Sequence, residues 1–284
     1  MTMPRLENLE LVLANGCLRT PDLVERCSAA AHAGFTFIGL SAREYVRHRS
    51  EGRTDAELAA IVADHGLRLI EIETIAGLAE PDDDPTRVRH TSRAMREQMY
   101  AMAVTFGSRY IQAVGSFTDP LEPNVVERFA ALCDEAAEHG LAIALEFVPC
   151  TNIADAGTAL RIVNEADRPN GGLCVDIWHH TRGANDWPLI DAIEGHRVVM
   201  IQLDDGPIVP RHPDFLIDTV SNRDLPGQGE FQIGRFLRTL WGNGAIAPIS
   251  VEVLDDRLYA LTPADAAKRI YDATILAVGG ALNT

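Results

Sequence analysis

The stretch Gly172-Leu173-Cys174-Val175-Asp176-Ile177-Trp178-His179-His180 contains a short apolar run that stops at a carboxylate. Leu173 to Val175 is too brief for a helix and reads as a buried strand. A carboxylate at the exit of such a strand is costly to desolvate unless a cation or several donors meet it. Three other apolar runs end in the same way. Leu141 to Leu145 leads to Glu146, Val198 to Ile201 leads to Gln202, and Ile249 to Val251 leads to Glu252. The spacings between these four residues each match one strand-plus-helix unit, the last lengthened by a long loop. Four oxygen-bearing side chains at four successive strand ends predict a single metal site.

Working outward, strand-like and helix-like segments alternate along the whole chain. Strands are expected at Leu9 to Ala14, Phe35 to Leu40, Leu67 to Thr74 and Arg109 to Val114, ahead of the four already described. Thr20-Pro21-Asp22 reads as a helix cap with proline at the first helical position, Thr54 opens a second helix, and Thr262-Pro263 opens the last. Glu80 to Pro85 reads as a loop, and the longest loop is expected from about Asp204 to Gln228, with the next helix over Glu230 to Trp241. Eight strand–helix pairs in 284 residues match the count and size of a (β/α)8 TIM barrel, read as a single domain over residues 1–284. An open doubly wound sheet is the alternative. It normally carries a glycine-rich turn after the first strand, which Ala14-Asn15-Gly16-Cys17 does not supply.

The net charge of −16 disfavours nucleic acid and anionic membranes as partners, because such a surface repels phosphates. There is no apolar run long enough to span a bilayer and no signal-peptide pattern, so a cytoplasmic location is expected. The five cysteines are scattered without a Cys-x-x-Cys pair, and Cys174 is expected in the core. Lys268 is the sole lysine and falls in the final amphipathic helix, so Schiff-base chemistry has no good candidate nucleophile.

In a barrel of this kind, catalytic groups sit at the C-terminal ends of the strands. Glu146, Asp176, Gln202 and Glu252 are therefore the expected metal ligands. An all-oxygen set suits a hard cation, one Mn²⁺ or Mg²⁺ with Co²⁺ as a further fit, better than zinc. His179, three residues beyond Asp176, is the candidate for a separate acid/base because its pKa lies near neutrality. His180 reads as structural. Arg43, His48, Glu71 and Glu73 near strands two and three are candidates to line the mouth, but most such charges are solvated, and the solvated reading is preferred for them.

This pattern resembles the xylose-isomerase-like sugar isomerase/epimerase barrels, a group that includes ketose 3-epimerases, inosose dehydratases and 3-dehydroshikimate dehydratases. The resemblance covers essentially the whole barrel. The strand-five Glu of the family matches Glu146, its Asp-x-x-His matches Asp176 and His179, and its strand-eight Glu matches Glu252. Where many members carry His-Leu-Lys-Asp on strand seven, this chain has Gln202-Leu203-Asp204-Asp205, and glutamine there resembles the 3-dehydroshikimate dehydratase branch. Arg223 begins a segment resembling the family's Arg-x-x-Pro-Gly-x-Gly stretch, in which an arginine reaches substrate oxygens. The resemblance implies that Glu146 and Glu252 are both ligands and acid/base groups, with Arg223 binding substrate.

The expectation is thus an isomerase or epimerase that takes a proton alpha to a carbonyl through an enediolate. Its partner would be a sugar, cyclitol or related keto-polyol, without a phosphate cradle at strands seven and eight. A lyase that eliminates water from a cyclic keto-polyol would use the same enediolate, and the ligand set does not choose between them. A DNA-repair endonuclease would need histidine ligands and a basic groove. A non-catalytic binding barrel would gain nothing from keeping both Glu146 and Glu252. Homo-oligomerisation is left open by the sequence.

Overall fold

The computed structural model describes residues 3–78 and 90–283, so the loop expected at Glu80 to Pro85 lies outside the described residues. Eight parallel strands close into one barrel in sequence order. They are β1 Leu11–Leu13, β2 Phe37–Ser41, β3 Arg68–Ala76, β4 Tyr110–Val114, β5 Ala142–Glu146, β6 Gly171–Asp176, β7 Val198–Leu203 and β8 Ile249–Val251. Pairing of Leu11 to Leu13 with Ile249 to Val251 joins β8 back to β1. The architecture is the (β/α)8 barrel that the spacing of apolar runs predicts.

The longer helices form the outer ring: α1 Leu23–Ala33, α3 Asp55–Asp64, α4 Arg93–Phe106, α5 Val125–Ala137, α6 Ala156–Ala166, α10 Ile233–Gly242 and α12 Pro263–Leu282. A reciprocal capping box between Thr54 and Glu57 starts α3, and Thr262 with Pro263 starts α12. The expected start of α1 moves by two residues. Asp22, not Thr20, is its cap, because the Asp22 carboxylate accepts from the Val24 N–H at 2.9 Å, while the Thr20 hydroxyl turns to Glu25. Five shorter helices are also present among the described residues: α2 Ala42–Ser50, α7 Ile177–Arg182, α8 Trp187–Asp191, α9 Phe215–Ser221 and α11 Asp256–Tyr259. Of these, only α8 has a clear start signal in sequence. The other four are too short for periodicity to reveal, and each is nucleated by a capping side chain, from Ser41, Asp176, Asp214 and Asp255. The loop expected between Asp204 and Gln228 therefore contains a helix.

Strand residues alternate between two environments. Ile111, Ala113, Ile143, Leu145, Leu173, Val175, Ile201, Leu203, Ile249 and Val251 point outward into the large core beneath the helices. Burying each Leu, Ile or Val there contributes roughly 1.5–3 kcal/mol. The opposite phase points into the barrel, where Val12, Ile70, Tyr110, Ala144, Cys174 and Met200 form a small separate cluster. Two residues further along their strands, on that inward phase, stand Gln112, Glu146, Asp176 and Gln202. The small apolar plug is the floor on which the polar groups rest.

Candidate functional site

Register brings the four sequence-expected positions to one end of the barrel. Asp176 lies opposite Gln202, and Gln202 opposite Ser250, two residues before Glu252. Glu146 lies opposite Cys174 on the neighbouring strand. Glu146, Asp176 and Gln202 are buried, and Glu252 is mostly so.

Asp176 has two tasks. One carboxylate oxygen accepts from the Trp178 N–H at 2.7 Å and so starts α7. That turn of helix places His179 back over the strand ends, with its Nε2 3.2 Å from Glu146 Oε1 and 3.5 Å from Asp176 Oδ2. Ligand-type atoms of Glu146, Asp176 and His179 lie within 4.8 Å of one another, the arrangement a metal ion requires. Glu146 Oε1 and Asp176 Oδ2 are buried and accept no hydrogen bond among the described residues. Each nevertheless lies within 3.5 Å of a basic nitrogen, His179 Nε2 for both and Arg223 Nη1 for Asp176, and carboxylate oxygens so placed fit a cation.

The other two expected ligands face neighbours. The Glu252 carboxylate lies 3.0 Å from Arg223 Nη1, and the Gln202 carbonyl oxygen accepts from the Gln112 amide at 3.4 Å and from the Cys174 thiol at 3.3 Å. Cys174 belongs to the inner plug, as expected of a core residue, yet it also touches the site. Arg223 is itself buried. Its Nη1 pairs with Asp204 and Glu252 and stands 3.5 Å from Asp176, and its Nε donates to the Thr219 carbonyl at 3.0 Å. Arg223 Nη2 has no hydrogen-bond partner among the described residues.

Gln112 and Asp204 were not singled out by the sequence reading, although both belong to this constellation. The signal for Gln112 is a lone polar residue inside the apolar run Tyr110 to Val114, and that for Asp204 is its inward phase two residues after Gln202. Glu71 and Glu73, read above as solvated charges, are also drawn in. Glu71 is fully buried, and Glu73 accepts from the Asn15 N–H at 2.8 Å. Burial pushes both carboxyl groups above the ordinary range. Ser41, Arg43, Glu73 and Thr74 line a cavity of about 700 Å³ at the β2–β3 side of the barrel's mouth, with Phe117 and Leu216 as apolar wall. His48, also read above as solvated, is instead buried in α2 and lies 3.5 Å from Glu51.

The charges can be counted. Glu146, Asp176, Asp204 and Glu252 oppose the Arg223 guanidinium and the His179 imidazolium, a formal surplus of two negative charges. Burial pushes Glu252 up to about 7 against the pull of Arg223, with Glu146 and Asp176 adding to the rise. Burial also raises Asp204, again against Arg223. For His179 burial acts downward, but the Asp176 and Glu146 carboxylates outweigh it and hold the ring above its ordinary value. His180 is different. It is buried edge-on against Trp187 at 4.7 Å, and desolvation with the nearby Arg235 charge lowers it to about 4. It is a neutral packing residue, as the sequence suggests.

Comparison with known proteins agrees with this architecture. The chain is 31% identical over 180 residues to an inosose isomerase of Bacillus subtilis (strain 168), covering 60% of this chain and 63% of that protein. It is 28% identical over 136 residues to a 3-dehydroshikimate dehydratase of Pseudomonas putida (strain KT2440), covering 48% of this chain and 21% of that protein. A crystal structure of the IOLI protein with a bound zinc atom superposes with a TM-score of 0.83 at 21% identity, over 97% of this chain and 100% of that one. No described helix is long and apolar enough to cross a membrane. The xylose isomerase-like TIM barrel profile matches residues 27–274, and the chain belongs to that family.

Proposed function

We propose that this protein is a divalent-metal-dependent isomerase or epimerase that removes a proton alpha to the carbonyl of an uncharged, polyhydroxylated ketone, an inosose-like cyclitol being the best-fitting class. The observation that carries this reading is the convergence of Glu146, Asp176 and His179 around two orphaned carboxylate oxygens at the C-terminal mouth of the barrel. Glu146, Asp176, Gln202 and Glu252 would hold the ion, with Mn²⁺, Mg²⁺ or Co²⁺ suited to so oxygen-rich a set. The ion, when bound, supplies charge that polarises the substrate carbonyl and acidifies the neighbouring C–H.

The remaining work belongs to side chains. Glu252 is raised to about 7 in the metal-free protein, and a bound cation would lower it, leaving the carboxylate form that accepts a proton at neutral pH. His179, whose ring the Asp176 and Glu146 carboxylates hold above its ordinary pKa, is the candidate proton donor. Arg223 spends its charge on Asp204, Glu252 and Asp176, so its remaining N–H suits a neutral hydroxyl or carbonyl oxygen. Glu73 on the cavity wall adds a hydroxyl acceptor rather than a partner for an anion. The engaged charge of Arg223 favours a neutral ring, whereas Arg43 on the same cavity wall would also receive a carboxylate. A second reading, water elimination from a dehydroshikimate-like ring, draws support from the dehydratase relatives and from the Gln202 resemblance.

Metal-stripped protein reloaded with Mn²⁺ and incubated in D₂O with inososes, ketoses and dehydroshikimate separates these readings. Deuterium should enter the recovered inosose or its product, and His179→Ala should slow that exchange about 10²-fold. Absence of exchange from every ketone overturns the enolisation reading, and turnover confined to dehydroshikimate establishes the second one.

A further inference from the structure

We infer that Gln112 is a positioning residue that sets which carboxylate oxygen of Glu146 faces the metal site, with Thr74 setting the orientation of Gln112 in turn. The inference rests on the metal reading given above. Gln112 is buried at 4% exposure, and an amide in that position costs stability unless its hydrogen-bonding groups are met. All are met. One N–H donates to Glu146 Oε2 at 2.8 Å, the other to Gln202 Oε1 at 3.4 Å, and the carbonyl accepts from the Thr74 hydroxyl at 2.5 Å.

The assignment of amide nitrogen and oxygen follows from this network. Turning Gln112 over would set its carbonyl against the Glu146 carboxylate and its NH₂ against the Thr74 hydroxyl, losing the charge-assisted bond. With Gln112 so fixed, Gln202 presents its carbonyl to it, the Cys174 thiol donates to that same oxygen, and Gln202 Nε2 is left buried without a hydrogen-bond partner among the described residues. Reach is provided by the strand between. Gln112 lies opposite Ala144, whose methyl leaves room for the amide to extend across β5 to β7. The consequence for Glu146 is specific: its Oε2 is engaged, and its Oε1, without a hydrogen bond, is the oxygen within 3.2 Å of His179 Nε2. Neighbours that orient ligands in this way commonly change metal affinity 10- to 100-fold when removed.

The test compares Mn²⁺ affinity by calorimetry, and the visible spectrum of the Co²⁺-loaded protein, for the natural protein, Gln112→Met and Thr74→Val. Gln112→Met keeps side-chain volume without the hydrogen bonds. It should weaken Mn²⁺ binding 10- to 100-fold and alter the Co²⁺ bands, while Thr74→Val produces a smaller shift in the same direction. Mn²⁺ affinity within threefold of the natural protein, with unchanged Co²⁺ bands, overturns the inference and makes Gln112 a filler of the barrel. If Gln112→Met does not fold, Thr74→Val decides by the same two measurements. A natural protein that binds neither ion overturns the metal reading itself, an outcome distinct from equal binding by all three proteins.

Discussion

Replacing Arg223 by Met tests whether charge, not volume, holds the strand ends together. The guanidinium is buried and faces Asp204, Glu252 at 3.0 Å and Asp176 at 3.5 Å. Breaking a buried ion pair by removing one partner typically costs about 3–5 kcal/mol, because the other charge stays behind uncompensated. The loss must depend on pH. Glu252 and Asp204 already have raised pKa values in the folded chain, so the folded state binds more protons than the unfolded state above the ordinary carboxylate range. The sign follows from linkage: this contribution is favourable at low pH and is lost as pH rises through the folded pKa, near 7 for Glu252. Without Arg223 both groups lose the charge that pulls them down, and the folded pKa values climb further. Each added unit is worth about 1.4 kcal/mol once pH exceeds it. Urea unfolding of EDTA-treated Arg223→Met and natural protein should therefore show a deficit of about 3–5 kcal/mol at pH 8.5, smaller by ~1 kcal/mol or more at pH 5.5. An equal deficit at both pH values would refute the electrostatic account and leave lost packing against Trp178 as the cause.

Two further outcomes are expected. Reactivation of metal-stripped protein should favour Mn²⁺ or Mg²⁺ over Zn²⁺, with Gln202→His moving the preference toward Co²⁺ or Zn²⁺ and Gln202→Leu weakening every ion; metal analysis with activity titration checks this, and full metal content in Gln202→Leu would remove it from the ligand set. His180 is buried neutral with its pKa lowered to about 4, so its contribution is complete above about pH 6.5 and is lost as pH falls toward 4. His180→Phe should remove up to ~3 kcal/mol of that acid dependence from urea unfolding curves, and an unchanged pH slope would count against it.

The eight strands were legible because each is a short apolar run bounded by polar residues, and in a closed parallel barrel every strand is buried on both faces. Glu146, Asp176, Gln202 and Glu252 were legible as the places where those runs stop. Gln112 was not, because it lies inside its run rather than at the end, although its inward phase was there to be read. The position of Arg223 depends on the long connection after β7, and that connection folds through contacts no local pattern announces. Asp205 is its anchor: its carboxylate accepts from the backbone N–H groups of Gly206, Gly227 and Phe231 at 2.8–3.0 Å. A side chain at Gly229 would come within 2.3 Å of the Asp205 carboxylate and 2.5 Å of the Gly206 backbone, so the turn also requires glycine there. The solvated reading of Glu71 and Glu73 failed for a related reason. Both already fall inside the expected strand Leu67 to Thr74, but local pattern does not show what meets them there: Tyr110 donates to Glu71 at 3.3 Å and the Asn15 N–H to Glu73 at 2.8 Å, on the inside of the barrel.

The alternation of the strands has a consequence for how such a protein can change. Outward residues such as Leu145, Val175, Ile201 and Val251 belong to the helix-facing core, whereas Glu146, Gln202 and Glu252, each the next residue along, face the interior, and Asp176 faces it while also capping α7. Chemistry and cohesion are thus written on alternate letters of the same four words. Under the proposed function, a substitution at Glu146 or Gln202 should alter ion or substrate preference while the outer packing stays, and a substitution at an outer letter should change stability more than the reaction. Neutral drift in one set leaves the other free to be selected, and mutational libraries confined to the interior letters should retain folding far more often than libraries spread over both.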